Sequence, residues 1–138
     1  MTDINTALET AYYAALKDIT TYVFNGQLPD NVNPEEYIIF RSIQNNDVST
    51  KNSSDTSTNI TVEIHTNKNK INQTNDGNSL AAQVFAAIYP NQQFNLTLSG
   101  MQMIDTKVVN DRTDEYQMSS QLCYISRYIT FGHLIYIA

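Results

Sequence analysis

Apolar residues recur at helical spacing near the start of the chain: Ile4, Ala7 with Leu8, Ala11 with Tyr12, Ala15 with Leu16, then Ile19. This i, i+3/i+4, i+7 stripe predicts a helix over residues 4–19 with one buried face. Thr2 or Asp3 offers a side-chain oxygen that can accept a free backbone N–H at its start. Thr20, Thr21 and Val23 then shift the local preference towards strand, because β-branched side chains are stiff at χ1. A short step, Tyr22 to Phe24, runs into a loop holding Pro29 and Pro34, which restrict its backbone. The loop lands on the strand-like run Tyr37 to Phe40, and a strand is expected over 37–44.

A polar loop follows over about 45–58, "NNDVSTKNSSDTST". From Asn59 the pattern alternates, with Ile60, Val62 and Ile64 on one face and Thr61, Glu63 and His65 on the other. That is the period of a half-buried strand, and the two strands read as an antiparallel hairpin. A second polar loop spans about 66–77. Asp76 and Asn78 are plausible caps for a helix carrying Leu80, Ala81, Val84, Phe85 and Ile88, which Pro90 stops.

Beyond Phe94, Leu96 and Leu98, Gly100 opens a second strand pair. Met101 to Val109 reads as one strand, "NDRTD" at 110–114 as the turn, and 115–130 as the other strand. The last strand carries apolar groups on both faces: Met118, Leu122, Tyr124 and Tyr128 on one, Cys123, Ile125 and Ile129 on the other. The C-terminal segment 131–138, "FGHLIYIA", is apolar too. Two helices can cover one face of a sheet, so this surplus apolar surface points to a partner, which another copy of the chain could supply. The expected architecture over 1–138 is a single α+β domain, ordered helix, strand pair, helix, strand pair. About four antiparallel strands carry both helices on one face.

Composition narrows the function classes. At 138 residues the chain buries roughly 68–70% of its unfolded surface, enough for a core without staples. A single cysteine, Cys123, excludes an internal disulfide. The first ten residues lack a signal peptide's basic start and apolar run, and no stretch reaches the length of a membrane span. The expectation is a soluble protein with no membrane partner. The net charge is −6 with a pI near 4.6, whereas a phosphate-gripping surface needs a basic patch. Lys51, Lys68 and Lys70 are scattered in polar stretches, and Arg41, Arg112 and Arg127 read as isolated. Four N-x-[ST] triplets, at Asn52, Asn59, Asn72 and Asn95, are expected by chance in an Asn- and Thr-rich chain.

Candidate chemistry is sparse. His65 lies beside Glu63 on a polar strand face, and His133 sits in the apolar C-terminal segment. Neither has the converging ligands that zinc requires. Cys123, inside "QLCYIS", suits a small buried hydrophobe better than a nucleophile. Asp111, Asp114 and Glu115 cluster where a turn is expected, which makes solvated charge their ordinary reading. Asp30, Glu35 and Glu36 bracket the proline loop in the same way. Gly26, Gly77, Gly100 and Gly132 are solitary, so no phosphate-binding glycine loop is present. Nine tyrosines fit either a contact surface or strand propensity. No catalytic, cofactor or metal site is expected.

The order of elements carries a resemblance. "INTALETAYYAALKDI" is followed by "YVFNG", the proline loop "QLPDNVNPEEY", the strand "YIIF", a second strand, a helix from "DGNSLAAQVFAAI" and a terminal strand pair. This resembles the tail-completion, or tail-terminator, proteins of tailed bacteriophages, and more broadly their neck and head–tail connector ring proteins. Pro34 stands three residues before Tyr37 rather than beside it, which lengthens the loop against that pattern. The resemblance implies a non-enzymatic virion subunit that closes into a ring, commonly hexameric. Its partners would be further copies of itself, the tail tube protein and a head-side connector or neck protein. DNA would pass through the channel without specific binding, which suits the acidic charge. The residues expected at contacts are Lys51, Asp55, Lys68 and Lys70 in or beside the polar loops, and Ile125, Ile129, Phe131, Leu134 and Tyr136 on the last strand and C-terminal segment. The rival readings are another phage neck or head-closure protein, and a small ligand- or protein-binding α+β domain.

Overall fold

The computed structural model describes residues 4–30, 36–47, 49, 55–68, 76–90, 98, 100–117 and 123–137. Helix α1 (Ile4–Leu16) leads into β1 (Val23–Asn25), β2 (Glu36–Asp47), β3 (Asp55–Lys68), α2 (Asp76–Ile88), β4 (Met101–Gln117) and β5 (Cys123–Ile137). The protein is α+β, and its described strands form one sheet in the order β1-β2-β3-β5-β4.

The β-branched step after α1 is a strand in its own right. Val23, Phe24 and Asn25 pair in parallel with Ile38, Ile39 and Phe40. The Ile38 amide donates to the Tyr22 carbonyl at 2.9 Å and the Gly26 amide to the Phe40 carbonyl at 3.0 Å. Gly26 then leaves the strand at φ +92, a backbone that side-chain-bearing residues rarely adopt. The expected four-stranded antiparallel sheet is thus a mixed sheet of five strands among the described residues. The added strand is too short to show a period of its own.

Two further expectations are corrected. Residues 110–114 are not a turn: β4 runs straight through them to Gln117, pairing Asp111 with Ile129 and Asp114 with Ser126. Residues 115–117 therefore belong to β4, while β5 continues to Ile137. The C-terminal segment is not surplus either. β5 lies between β3 and β4, with Ile60 opposite Phe131 and Thr58 opposite His133. The expected tail is part of an interior strand, paired on both sides. Both polar loops are also shorter than expected, since β2 and β3 extend to Asp47 and from Asp55, and β3 runs on to Lys68.

Both helices pack on one face. Leu8, Tyr12 and Leu16 of α1 and Ala81, Val84 and Ile88 of α2 are fully buried against Ile38, Phe40, Ile60, Val62, Ile129, Phe131 and Ile135. Each large apolar side chain buried this way stabilises the fold by about 1.5–3 kcal/mol. Tyr12 is central, with ring centroids 6.3 Å from Phe40 and 6.4 Å from Phe131. Among the described residues no helix is long and apolar enough to cross a membrane.

Candidate functional site

The opposite, helix-free face of the sheet carries most of the protein's ordered polar chemistry. Strand register brings one row together there, with Phe24, Ile39, Glu63, Tyr128 and Arg112 side by side across β1, β2, β3, β5 and β4. The neighbouring row is Tyr37, His65, Ser126 and Asp114. Alternation along each strand puts these side chains opposite the core.

Glu63 is the hub. One carboxylate oxygen accepts from Nε2 of His65 at 3.0 Å and the other accepts from Nε of Arg41 at 2.8 Å. Hydrogen bonding from His65 holds the Glu63 carboxyl below its usual range, with Arg41 helping and burial opposing. Because the ionised carboxylate only accepts, neutral His65 carries its proton on Nε2. Nδ1 is then the acceptor for the Ser126 hydroxyl at 2.8 Å. The His65 ring stacks on Tyr37 at 4.9 Å and meets the Tyr128 ring edge-on at 5.9 Å. Arg112 covers the other side of Tyr128 at 4.7 Å. Burial, followed by the Glu63 charge, raises the Tyr37 phenol above its ordinary pKa.

Ser126, His65 and Glu63 thus meet the distances of a hydroxyl–imidazole–carboxylate relay. The setting is wrong for acyl transfer. Ser126 lies on a strand flanked by β3 and β4, so the amides around it are spent in the ladders instead of forming an oxyanion hole. Arg41 also shares the carboxylate, which weakens its pull on the imidazole. What the arrangement does is hold a flat, polar and aromatic surface in one conformation. Among the described residues no group of three or more His, Cys, Asp or Glu could hold a metal ion.

The expected contact residues fall in several places. Lys51 and Lys70 lie outside the described residues, and Lys68 ends β3. Asp55 opens β3, where its amide donates to Ser49 Oγ at 3.1 Å. Ile129 and Phe131 are fully buried in the core and Ile125 is buried on the same face, so this structure places all three beneath the surface. Leu134 and Tyr136 lie half-buried on the helix-free face. Nor are the arginines isolated. Arg41 pairs with Glu63, Arg127 grips both Asp111 oxygens at 2.9 and 2.7 Å, and Arg112 lies over Tyr128. The sequence signalled the Glu63–His65 alternation; the cross-strand partners needed the register.

The whole chain has a counterpart among solved structures. It aligns with a chain from the virion of a native gene transfer agent particle, with a TM-score of 0.73 and 15% sequence identity, over 99% of both chains. The two share a fold. No protein-family model and no curated protein matches the sequence.

Proposed function

We propose that this chain is a structural virion subunit of a tailed bacteriophage or phage-like particle, acting as a tail terminator. In this reading copies of the chain close into a ring, of six as in the proteins it resembles, at the head-proximal end of the tail. One side of the ring meets the tail tube protein and the other a head-side connector or neck protein. DNA crosses the lumen without specific binding, and the chain performs no catalysis. It is assembled in the host cytoplasm and retained in the virion neck.

The observation that carries this reading is the likeness to a virion chain over 99% of both chains. Three features support it. The order of elements resembles that of the tail-terminator proteins, the net charge of −6 disfavours retention of DNA, and the helix-free face offers a surface with aromatic residues and arginine of the kind enriched at protein contacts.

Deletion of the gene from its particle's genome tests the reading. The expected result, by electron microscopy, is filled heads without tails beside detached tails of uncontrolled length. Intact tailed particles lacking the protein would overturn it.

A further inference from the structure

Strand β4 is the outer strand of the sheet among the described residues, and residues 104–116 along it are exposed with the sole exception of Thr106. Such an edge presents unpaired backbone N–H and C=O groups, a template for another strand. Large apolar residues are also exposed along it: Ile104 at 50%, Val108 at 37%, Val109 at 48% and Tyr116 at 65%.

The sequence of this edge is complementary to itself when reversed. With the bulged Val109 outside the ladder, "DTKVVNDR" (Asp105 to Arg112) is centred on Val108 and places Asp105 opposite Arg112, Thr106 opposite Asp111 and Lys107 opposite Asn110. In a regular strand Asp105 and Arg112, an odd number of positions apart, would point to opposite faces. The bulge between Val108 and Asn110 changes that. Asp105 pairs with Leu134 and Arg112 with Tyr128, two residues of matching phase on β5, so both charges stand on the helix-free face. Thr106 and Asp111 likewise share the helix face, opposite His133 and Ile129. Sliding the two copies by two residues would set Lys107 against Arg112 and Asp105 against Asp114, like charges that repel. Sliding by one would set charges on opposite faces.

We propose that the free protein associates with a second copy of itself through antiparallel β4–β4 pairing about a two-fold axis at Val108, with the bulged Val109 outside the ladder. The contact is isologous, with each Asp105 facing the Arg112 of the other copy and the two Val108 side chains meeting at the centre. The Arg112 side chain is 60% exposed, lies over Tyr128 and makes a long 3.8 Å ion pair with Asp114, itself 61% exposed, so its outer side faces solvent. The inference concerns the protein free in solution and stands whether or not the chain forms a ring on a tail.

The experiment is light scattering over a concentration series on the wild type, Asp105→Arg, Arg112→Asp and the double swap, with thermal melts on each. The wild type should move from monomer to dimer mass. Each single reversal should weaken the dimer about tenfold or more, since two like-charge contacts replace two attractive ones, while at low concentration both variants remain folded and melt cooperatively. The double swap should restore the dimer. A wild-type monomer at every concentration, a dimer indifferent to the single reversals, or a ring mass in all four proteins would overturn the proposal. Should a variant fail to fold, hydrogen exchange on the wild type decides: amides 104–113 should slow as concentration rises, and concentration-independent exchange there would overturn it.

Discussion

The Tyr12 hydroxyl on α1 meets Nε2 of His133 on β5, a buried hydrogen bond between residues 121 positions apart. Nδ1 of the same ring is held by Thr106 Oγ1 of β4 at 2.9 Å, and the two rings meet edge-on with centroids 5.6 Å apart. His133 is 1% exposed and Tyr12 0%. A polar chain thus crosses the core from helix to edge strand, with both imidazole nitrogens satisfied by hydroxyls. Such a chain specifies one docking of α1 on the sheet, because any other leaves a buried polar group without its partner.

Acid should weaken this joint. Burial lowers the His133 pKa from 6.5 to about 4, so between those values the unfolded chain binds a proton that the folded chain resists. Stability is therefore unaffected by this group above pH 6.5 and falls as pH drops through the window, by about 3 kcal/mol in total. Urea unfolding midpoints between pH 7 and pH 4 measure it. The wild type should lose stability there, and His133→Gln, less stable at pH 7, should show a flatter profile. Parallel profiles would refute the assignment.

Removing the phenol tests the same hydrogen bond without a cavity. Tyr12→Phe leaves His133 Nε2 without its Tyr12 partner in the core and should cost about 1–3 kcal/mol. A change below about 0.5 kcal/mol by denaturant titration would show that the bond contributes nothing net.

Gly132 lies in the middle of β5, where an added Cβ would come 2.7 Å from Val109 Cγ2 and 3.2 Å from Asn59 Oδ1. The bulged Val109 thus rests over a position that has no side chain. Gly132→Ala should destabilise by about 1–3 kcal/mol through overpacking, and adding Val109→Ala should recover most of the loss. A double mutant as unstable as the single would place the strain elsewhere.

Glu63 and Arg41 should respond unequally although they are partners. The Arg41 side chain is 49% exposed, that of Glu63 only 12%. Arg41→Ala should cost under about 1 kcal/mol, as exposed ion pairs do. Glu63→Ala strips partners from His65 as well and should cost about 1–3 kcal/mol. The lowered Glu63 pKa adds stability that is complete above the unfolded value of 4.5 and is lost as pH falls through the folded one. Equal losses in the two variants would contradict this ranking.

The two helices and strand β3 were legible because each has a period of its own. The α1 stripe from Ile4 to Leu16 and the alternation Ile60, Val62, Ile64 need no distant partner to be read. The segment "NDRTD" misled for the opposite reason. Asn and Asp favour turns in isolation, but an edge strand exposed to water carries polar residues on both faces, so their presence did not mark a turn. The apolar run "FGHLIYIA" looked unpartnered because its partners, from Asp55 to Ile60 on one side and Met101 to Val108 on the other, are far away in sequence.

The candidate surface follows the same division. Glu63 and His65 could be placed on one polar face from their spacing. Arg41, Ser126, Tyr128 and Arg112 could not be joined to them, since each comes from another strand. Local sequence determined which residues form helices and strands and which faces are apolar, because neighbours along the chain set those preferences. The tertiary structure decided that the last strand lies inside the sheet between β3 and β4, that Arg41 faces Glu63, and that the bulge at Val109 turns Asp105 and Arg112 to one side. Those outcomes depend on strand order and register, which arise only when segments far apart in the chain bury a common core.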